Sequence, residues 1–103
     1  MYQLVIYIPQ SHCEVVKLAM FEAGAGRYKN YEQCSWQVKG QGQFKPLEGS
    51  SPFIGNQNVL ETVEEYRVEM ICEKQVVKGV IKAMLAAHPY EEPAYLVLEH
   101  RAL

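Results

Sequence analysis

The segment 88–93 (HPYEEP) concentrates the side chains of this chain that could do chemistry. A histidine, a tyrosine and two carboxylates follow one another closely, and such groups could ligate a divalent metal ion or pair for proton transfer. The spacing H-x-x-E-E differs from the H-x-x-E-H pattern of zinc enzymes, because Glu92 stands where that pattern has its second histidine. The alternative is a rigid turn in which the prolines fix the loop, His88 interacts with the end of a preceding helix and the glutamates are solvated.

A second group of possible ligands lies near the start of the chain, where His12 and Cys13 begin a predicted helix. Together with the HPYEEP segment they could complete a site of mixed nitrogen, sulfur and oxygen ligands. We take His12, His88 and Glu91 as the candidate metal ligands, with a divalent metal ion as the possible cofactor. First-turn side chains often point to solvent, which is the alternative for His12 and Cys13. We expect His100 to lie at the surface.

Other catalytic motifs are missing from the sequence. The glycines of segment 24–26 follow a predicted helix and lack the third glycine of a dinucleotide-binding fingerprint. The glycines of segment 40–42 have no following Lys-Ser/Thr, so no Walker-type phosphate loop is present. The three cysteines show no C-x-x-C spacing, and we expect free thiols in a reducing compartment. Cys13 beside His12 is a weak candidate for a nucleophile.

Length and charge limit the possible function. The 103 residues suffice for a single domain, which we place at 1–103. The net charge is −2 and no run of lysine or arginine occurs, which argues against a nucleic-acid partner. The apolar run 4–8 is too short for a membrane span or a signal-peptide core. We therefore expect a cytoplasmic protein with no membrane partner.

The first half of the chain predicts two strands around one helix. Residues 2–8 form a strand that ends at Pro9, and segment 11–14 (SHCE) fits a capping box that begins a helix. Segment 31–39 predicts the second strand, which segment 40–44 continues with a bulge or bend. The helix has an apolar stripe at helical spacing, closed by the glycines of 24–26. The stripe contains Val16, Ala19, Met20 and Ala23, and is widened by Val15 and Leu18.

The second half repeats this plan after a long loop. Residues 46–58 have loop chemistry, and such long connections in compact domains are usually functional. A third strand follows at 63–73, a second helix at about 76–87 and a fourth strand at 94–99. The order is thus β-α-β-β-α-β, for which right-handed crossovers have one common solution. We predict an α+β, ferredoxin-like sandwich: a four-stranded antiparallel sheet with both helices on one face.

This topology brings three connections to one end of the sheet. They are the turn 9–12, the long loop between the second and third strands, and the turn 88–93. Any site should lie at this three-connection end, with 43–55 acting as a lid.

The face of the sheet without helices predicts an assembly. The first strand is apolar on both sides, since Val5 and Tyr7 alternate with Leu4, Ile6 and Ile8. The last strand behaves alike, with Leu96, Val97 and Leu98. A sheet with one solvated face should alternate, so we expect another subunit to cover the bare face. Alternatively, these are ordinary scattered surface residues.

Several segments together resemble a known family, and the resemblance covers nearly the whole chain. The most specific segment is 87–95 (AHPYEEPAY); others are 24–26 (GAG), 34–36 (CSW), 40–46 (GQGQFKP) and 52–55 (PFIG). The string resembles the domain inserted in the bacterial NGG-interacting-factor-like proteins, a dinuclear-metal hexameric family. That insert is similar to the CutA and PII signalling trimers. The flanking halves that hold the family's metals are absent from this sequence, so the resemblance implies only the insert's fold and trimeric assembly, as a stand-alone protein.

From this we expect a non-enzymatic homotrimeric binding or regulatory module for a small ligand or a divalent metal ion. The ligand-binding residues would be His88, Tyr90, Glu91, Glu92, Phe44 and Gly55, near a subunit cleft. Two alternatives stay open. One is a metal-dependent hydrolase that uses His88 and Glu91. The other is a purely structural oligomerisation domain.

Overall fold

The computed structural model describes residues 1–99, so His100 and the position predicted for it lie outside the described residues. Four strands, two α-helices and a short 3-10 helix follow one another in the predicted order. They are β1 (Tyr2–Pro9), the 3-10 helix Gln10–His12, α1 (Cys13–Glu22), β2 (Trp36–Phe44), β3 (Glu61–Cys72), α2 (Val77–Ala87) and β4 (Tyr95–Glu99).

The sheet confirms the predicted ferredoxin-like topology. Its strand order is β2-β3-β1-β4, and every neighbouring pair is antiparallel. The two central strands pair from Tyr2 opposite Cys72 to Pro9 opposite Glu65. The edges are therefore β2 and β4, and the two crossovers pass over the same face of the sheet.

The core lies between the sheet and the two helices. Alternate residues of β1 and β3 point towards the helices and are almost fully buried, as the period of two in a half-buried strand requires. Helix α1 contributes residues at positions 13, 16 and 20, and α2 contributes Val80 and Met84. The buried members of this cluster are Leu4, Ile6, Ile8, Cys13, Val16, Met20, Ala25, Val68, Met70, Cys72, Val80 and Met84.

The start of α1 differs from the prediction. The capping box at Ser11 is wrong, because residues 10–12 form a 3-10 turn and no side chain caps the helix. The Ser11 Oγ instead lies 2.8 Å from the Nδ1 of His12. The predicted widening of the stripe is also wrong, since Val15 and Leu18 are exposed on the outer side of α1.

The second strand begins five residues later than predicted, at Trp36 rather than Tyr31. The preceding residues turn sharply: Lys29 and Gln33 both have positive φ, and Tyr28 and Tyr31 form an isolated bridge. Residues other than glycine rarely adopt a positive φ within a strand. Beyond Trp36 the strand is continuous to Phe44 and its register with β3 is unbroken, so the bulge expected in 40–44 is absent.

The bare face of the sheet has a polar centre. Gln3 Nε2 donates a hydrogen bond of 2.6 Å to Glu69, whose other oxygen lies 3.4 Å from Arg67 Nε. Arg67 also donates to the hydroxyl of Tyr7 at 3.2 Å. Val5 is fully buried within the single chain, so it needs no partner.

Apolar residues flank this polar centre at both edges. From the register, Trp36 and Val38 of β2 and Leu96 and Leu98 of β4 share the bare face. Trp36 is 61% exposed, Leu96 50% and Leu98 46%. The expected apolar character of this face is therefore a property of its edges. Separately, neither helix among residues 1–99 has the length and apolar character needed to cross a membrane.

Candidate functional site

The three predicted connections meet at one end of the sheet. The ring of His12, in the first connection, packs edge-on against Phe53 of the long loop, with 5.5 Å between ring centroids. The backbone N–H of Ser51, in the same loop, donates to the carboxylate of Glu91 in the HPYEEP segment at 2.8 Å. The long loop thus touches both other connections.

His88 fastens the HPYEEP segment to the sheet. The side chain is only 6% exposed. Its Nε2 lies 2.8 Å from the carbonyl oxygen of Tyr7, and its Nδ1 lies 3.2 Å from the backbone N–H of Tyr90. Because the carbonyl can only accept and the N–H can only donate, the partners select the neutral tautomer with the proton on Nε2.

Burial also keeps His88 neutral. Desolvation lowers the pKa of His88 and nearby His12 acts in the same direction, while the hydrogen bond to Tyr7 and the charge of Glu65 oppose this shift. Both ring nitrogens already have partners. A metal ion could bind this imidazole only by displacing one of them.

Tyr90 joins the HPYEEP segment to the β2–β3 hairpin. The centroid of its ring lies 4.9 Å from that of His88 and 6.1 Å from that of Phe44, and in both pairs the ring planes are tilted relative to each other. Its hydroxyl donates to Glu65 of β3 at 2.9 Å. Burial, followed by the hydrogen bond and charge of Glu65, raises the pKa of Tyr90 well above its usual value. Tyr90 is thus a neutral donor at physiological pH.

A cavity of about 440 Å³ opens between the hairpin end, the long loop and the HPYEEP segment. This size lies in the range of pockets that hold small organic ligands. Aromatic, proline and aliphatic side chains make most of its wall. The lining residues are Gln43, Phe44, Lys45, Pro46, Leu47, Ser50, Pro52, Phe53, Ile54, Glu65, Tyr90, Glu91, Glu92 and Ala94.

Four charged side chains also line the cavity. Glu65 accepts from Tyr90, and Glu91 accepts from Ser51. Glu92 and Lys45 are exposed. The cavity thus offers an apolar surface for a ring or aliphatic body, and several carboxylate oxygens for groups that donate hydrogen bonds.

The structure brings together most of the predicted ligand-binding residues. Phe44, Tyr90, Glu91 and Glu92 all line the cavity, and His88 lies behind the ring of Tyr90. Gly55 is outside the lining; it has a φ of 91° and lies against Glu61.

The metal hypothesis has no supporting geometry in the described part of the chain. Within residues 1–99 no group of three His, Cys, Asp or Glu side chains is arranged to hold a metal ion. His12 contacts Phe53 and Ser11, while Glu91 contacts Ser51. A site formed by His12, His88 and Glu91 therefore stays a prediction.

Sequence reasoning missed Glu65 and the apolar residues of the long loop. Glu65 is one of several glutamates on β3, and nothing in the strand pattern distinguishes it. The register supplies the missing information, because it places Glu65 opposite Gly40 and Pro9, next to the three-connection end. Phe53 and Ile54 lie within the segment expected to act as a lid, and they form part of the cavity wall.

Comparison with known proteins places this domain among longer relatives. A protein of Halalkalibacterium halodurans named "GTP cyclohydrolase 1 type 2 homolog" is 47% identical over 95 residues, which cover 92% of this chain and 26% of the relative. The homologue of the same name from Mycobacterium tuberculosis is 50% identical over 91 residues, covering 88% of this chain and 24% of the relative. The chain thus spans about a quarter of the length of the curated relatives it matches. No protein-family model matches the chain.

Solved structures of other proteins also resemble this chain. A Bacillus cereus protein related to NIF3 superposes with a TM-score of 0.81 at 42% identity, over 94% of this chain and 24% of that one. The PII-like protein CutA from Nostoc, in apo form, superposes with a TM-score of 0.68 at 17% identity, over 97% of this chain and 81% of that one. The second similarity shows the fold alone. This chain is therefore a member of the NIF3-related (NGG-interacting-factor-like) family that matches about a quarter of the length of its relatives. It has the fold of the CutA and PII-like domains.

Proposed function

We propose that this chain is a non-enzymatic binding or regulatory module that assembles as a homotrimer and takes a small organic ligand in the cavity at the three-connection end. The observation that carries the proposal is the cavity of about 440 Å³ between Phe44, Phe53 and Tyr90. The end of the β2–β3 hairpin, the long loop and the HPYEEP segment all contribute to its wall. Convergent polar groups on a mostly apolar surface are the usual form of a small-molecule site.

Ligand-shifted melting tests this proposal. A ligand that binds only the folded state raises the melting temperature, by roughly 5 °C or more at ten times its Kd for a domain of this size. The probes are a library of common metabolites together with GTP, which the name of the relatives suggests. We expect at least one small molecule to shift the wild type. No shift from any probe would overturn the proposal.

A pair of variants locates the binding site. Phe44→Ala removes one aromatic wall of the cavity and should abolish most of the shift. Val15→Ala removes an exposed apolar group of α1 that is not part of the cavity lining, and should leave the shift unchanged. Equal losses in both variants would place the binding site elsewhere.

The trimer is supported by the apolar edges of the bare face and by the similarity of the fold to CutA and PII-like proteins. Trp36 and Leu98 are large apolar side chains that are exposed on this face, and exposed apolar patches of this kind mark contacts between proteins. Sedimentation velocity at micromolar concentration should give a species of three chains. Leu98→Glu should dissociate it, and Leu18→Glu on the outer side of α1 should not. A wild-type monomer would contradict this part of the proposal.

The two alternative functions, a metal-dependent hydrolase and a purely structural domain, predict different results. A hydrolase that uses His88 and Glu91 needs stoichiometric metal, so metal analysis of the purified protein decides it. A purely structural domain would show assembly with no ligand-induced shift. The occupied nitrogens of His88 favour the organic ligand over the metal ion.

A further inference from the structure

The backbone conformation of Gly42 does not require glycine. It lies in the middle of β2, in unbroken register with β3, and has no positive φ. A β-carbon at this position would overlap the carboxylate of Glu65. At Gly40, two residues earlier on the same face, a β-carbon would meet no atom within 4 Å. A larger residue at position 42 would therefore force the Glu65 carboxylate to move away from its present place over β2.

From this position the Glu65 carboxylate reaches the HPYEEP segment. Its Oε2 accepts the hydrogen bond of 2.9 Å from the Tyr90 hydroxyl. At its other end, Tyr90 is fixed by its backbone N–H, which donates to His88. Its ring therefore has fixed positions at both ends, and Phe44 lies against it.

We infer that Glu65 is a positioning residue for the cavity, and that the space above Gly42 is what allows it to act. Glu65 holds the Tyr90 ring beside Phe44 and so sets the separation of the two aromatic walls. The inference rests on the proposed function, since a wall needs positioning only if a ligand uses it. The backbone of Glu65 is held firmly, because β3 pairs with a strand on each side at this position.

Hydrogen exchange followed by mass spectrometry tests the positioning without a ligand. In Gly42→Ala the new methyl group displaces Glu65, and exchange in peptides covering 88–94 should rise about tenfold, the factor expected for one lost hydrogen bond of the stronger kind. Gly40→Ala is the matched control and should leave these peptides unchanged. Tyr90→Phe removes only the hydroxyl and should reproduce the effect of Gly42→Ala. Unchanged exchange in both Gly42→Ala and Tyr90→Phe would overturn the inference.

Alkaline titration of the tyrosine absorbance tests the contribution of the Glu65 carboxylate to the raised pKa of Tyr90, and the Gln variant separates its charge from side-chain packing. The Tyr90 contribution is obtained by subtracting the matching Tyr90→Phe variant. In Glu65→Ala the pKa of Tyr90 should fall towards the ordinary value of about 10, and Glu65→Gln, which keeps an acceptor but no charge, should give an intermediate result. A Tyr90 pKa that is the same in all three proteins would contradict the assignment.

These results separate the inference from the proposed function. If the variants loosen 88–94 but no metabolite shifts the melting temperature, Glu65 positions Tyr90 and the ligand proposal fails. If a metabolite binds wild type and Gly42→Ala equally, the cavity binds ligand and the positioning role fails.

Discussion

The two halves of the HPYEEP segment do different things, although both are equally rich in functional groups. The first half faces inwards: His88 is buried with both nitrogens bonded to backbone, and Tyr90 is fixed by His88 and Glu65. The second half faces outwards: Glu91 and Glu92 are exposed at the cavity. Within one short motif, burial thus separates side chains that hold the backbone in place from side chains that stay accessible at the cavity.

The largest effect that separates the halves is on stability. His88→Ala leaves the Tyr7 carbonyl and the Tyr90 N–H without their partner in a buried setting, and should lower the free energy of unfolding by roughly 3 kcal/mol. Urea denaturation measures this. Glu92→Gln is the control from the outer half, and equal stability of the two variants would contradict the division.

A smaller effect is the pH dependence contributed by His88. Its pKa is lowered in the folded state by burial, so the unfolded chain binds the proton more readily than the native one. The stability contributed by neutral His88 is therefore complete above about pH 6.5, the ordinary histidine value, and is lost as pH falls through and below it.

Urea midpoints of wild type and His88→Gln between pH 5 and 8 check this sign. The wild type should lose more stability on acidification than the variant. A wild type that becomes more stable on acidification, relative to His88→Gln, would show that His88 is charged in the native state.

The smallest effect on stability belongs to the outer half. Glu91→Gln keeps an acceptor for the Ser51 N–H, and Glu92→Gln changes an exposed group, so each should alter the free energy of unfolding by less than about 0.5 kcal/mol. If these carboxylates contact ligand, the same variants should still reduce the ligand-induced melting shift. Loss of stability comparable to that of His88→Ala would remove the distinction between the halves.

The topology and the meeting of three connections could be predicted from the sequence, because both follow from element order. Residue composition indicated β1, hydrophobic periodicity indicated β3 and the two helices, and crossover handedness then left one common arrangement. The convergence of the turn 9–12, the long loop and the HPYEEP segment needed no side-chain detail.

The roles of single side chains could not be predicted in the same way. His88 is a plausible ligand until its two backbone partners are known, and these come from β1 and from the next turn. Gly42 suggested a bend in β2, whereas in the structure the strand is regular and the Glu65 carboxylate occupies the space that a side chain at position 42 would fill. Ser11 has the residues of a capping box around it, but the chain leaves β1 through a 3-10 turn. Each case depends on a contact distant in sequence or on local geometry that residue types alone do not determine.

The most direct test of the division within HPYEEP is the protonation of His88, observed by nitrogen-15 NMR of the imidazole ring at pH 7 with and without added Zn²⁺. The structure predicts a neutral ring with the proton on Nε2, a bare Nδ1 that accepts from Tyr90, and no change on adding the metal. A proton on Nδ1, a charged ring, or zinc-dependent shifts of the ring nitrogens would contradict it and return His88 to the set of ligands.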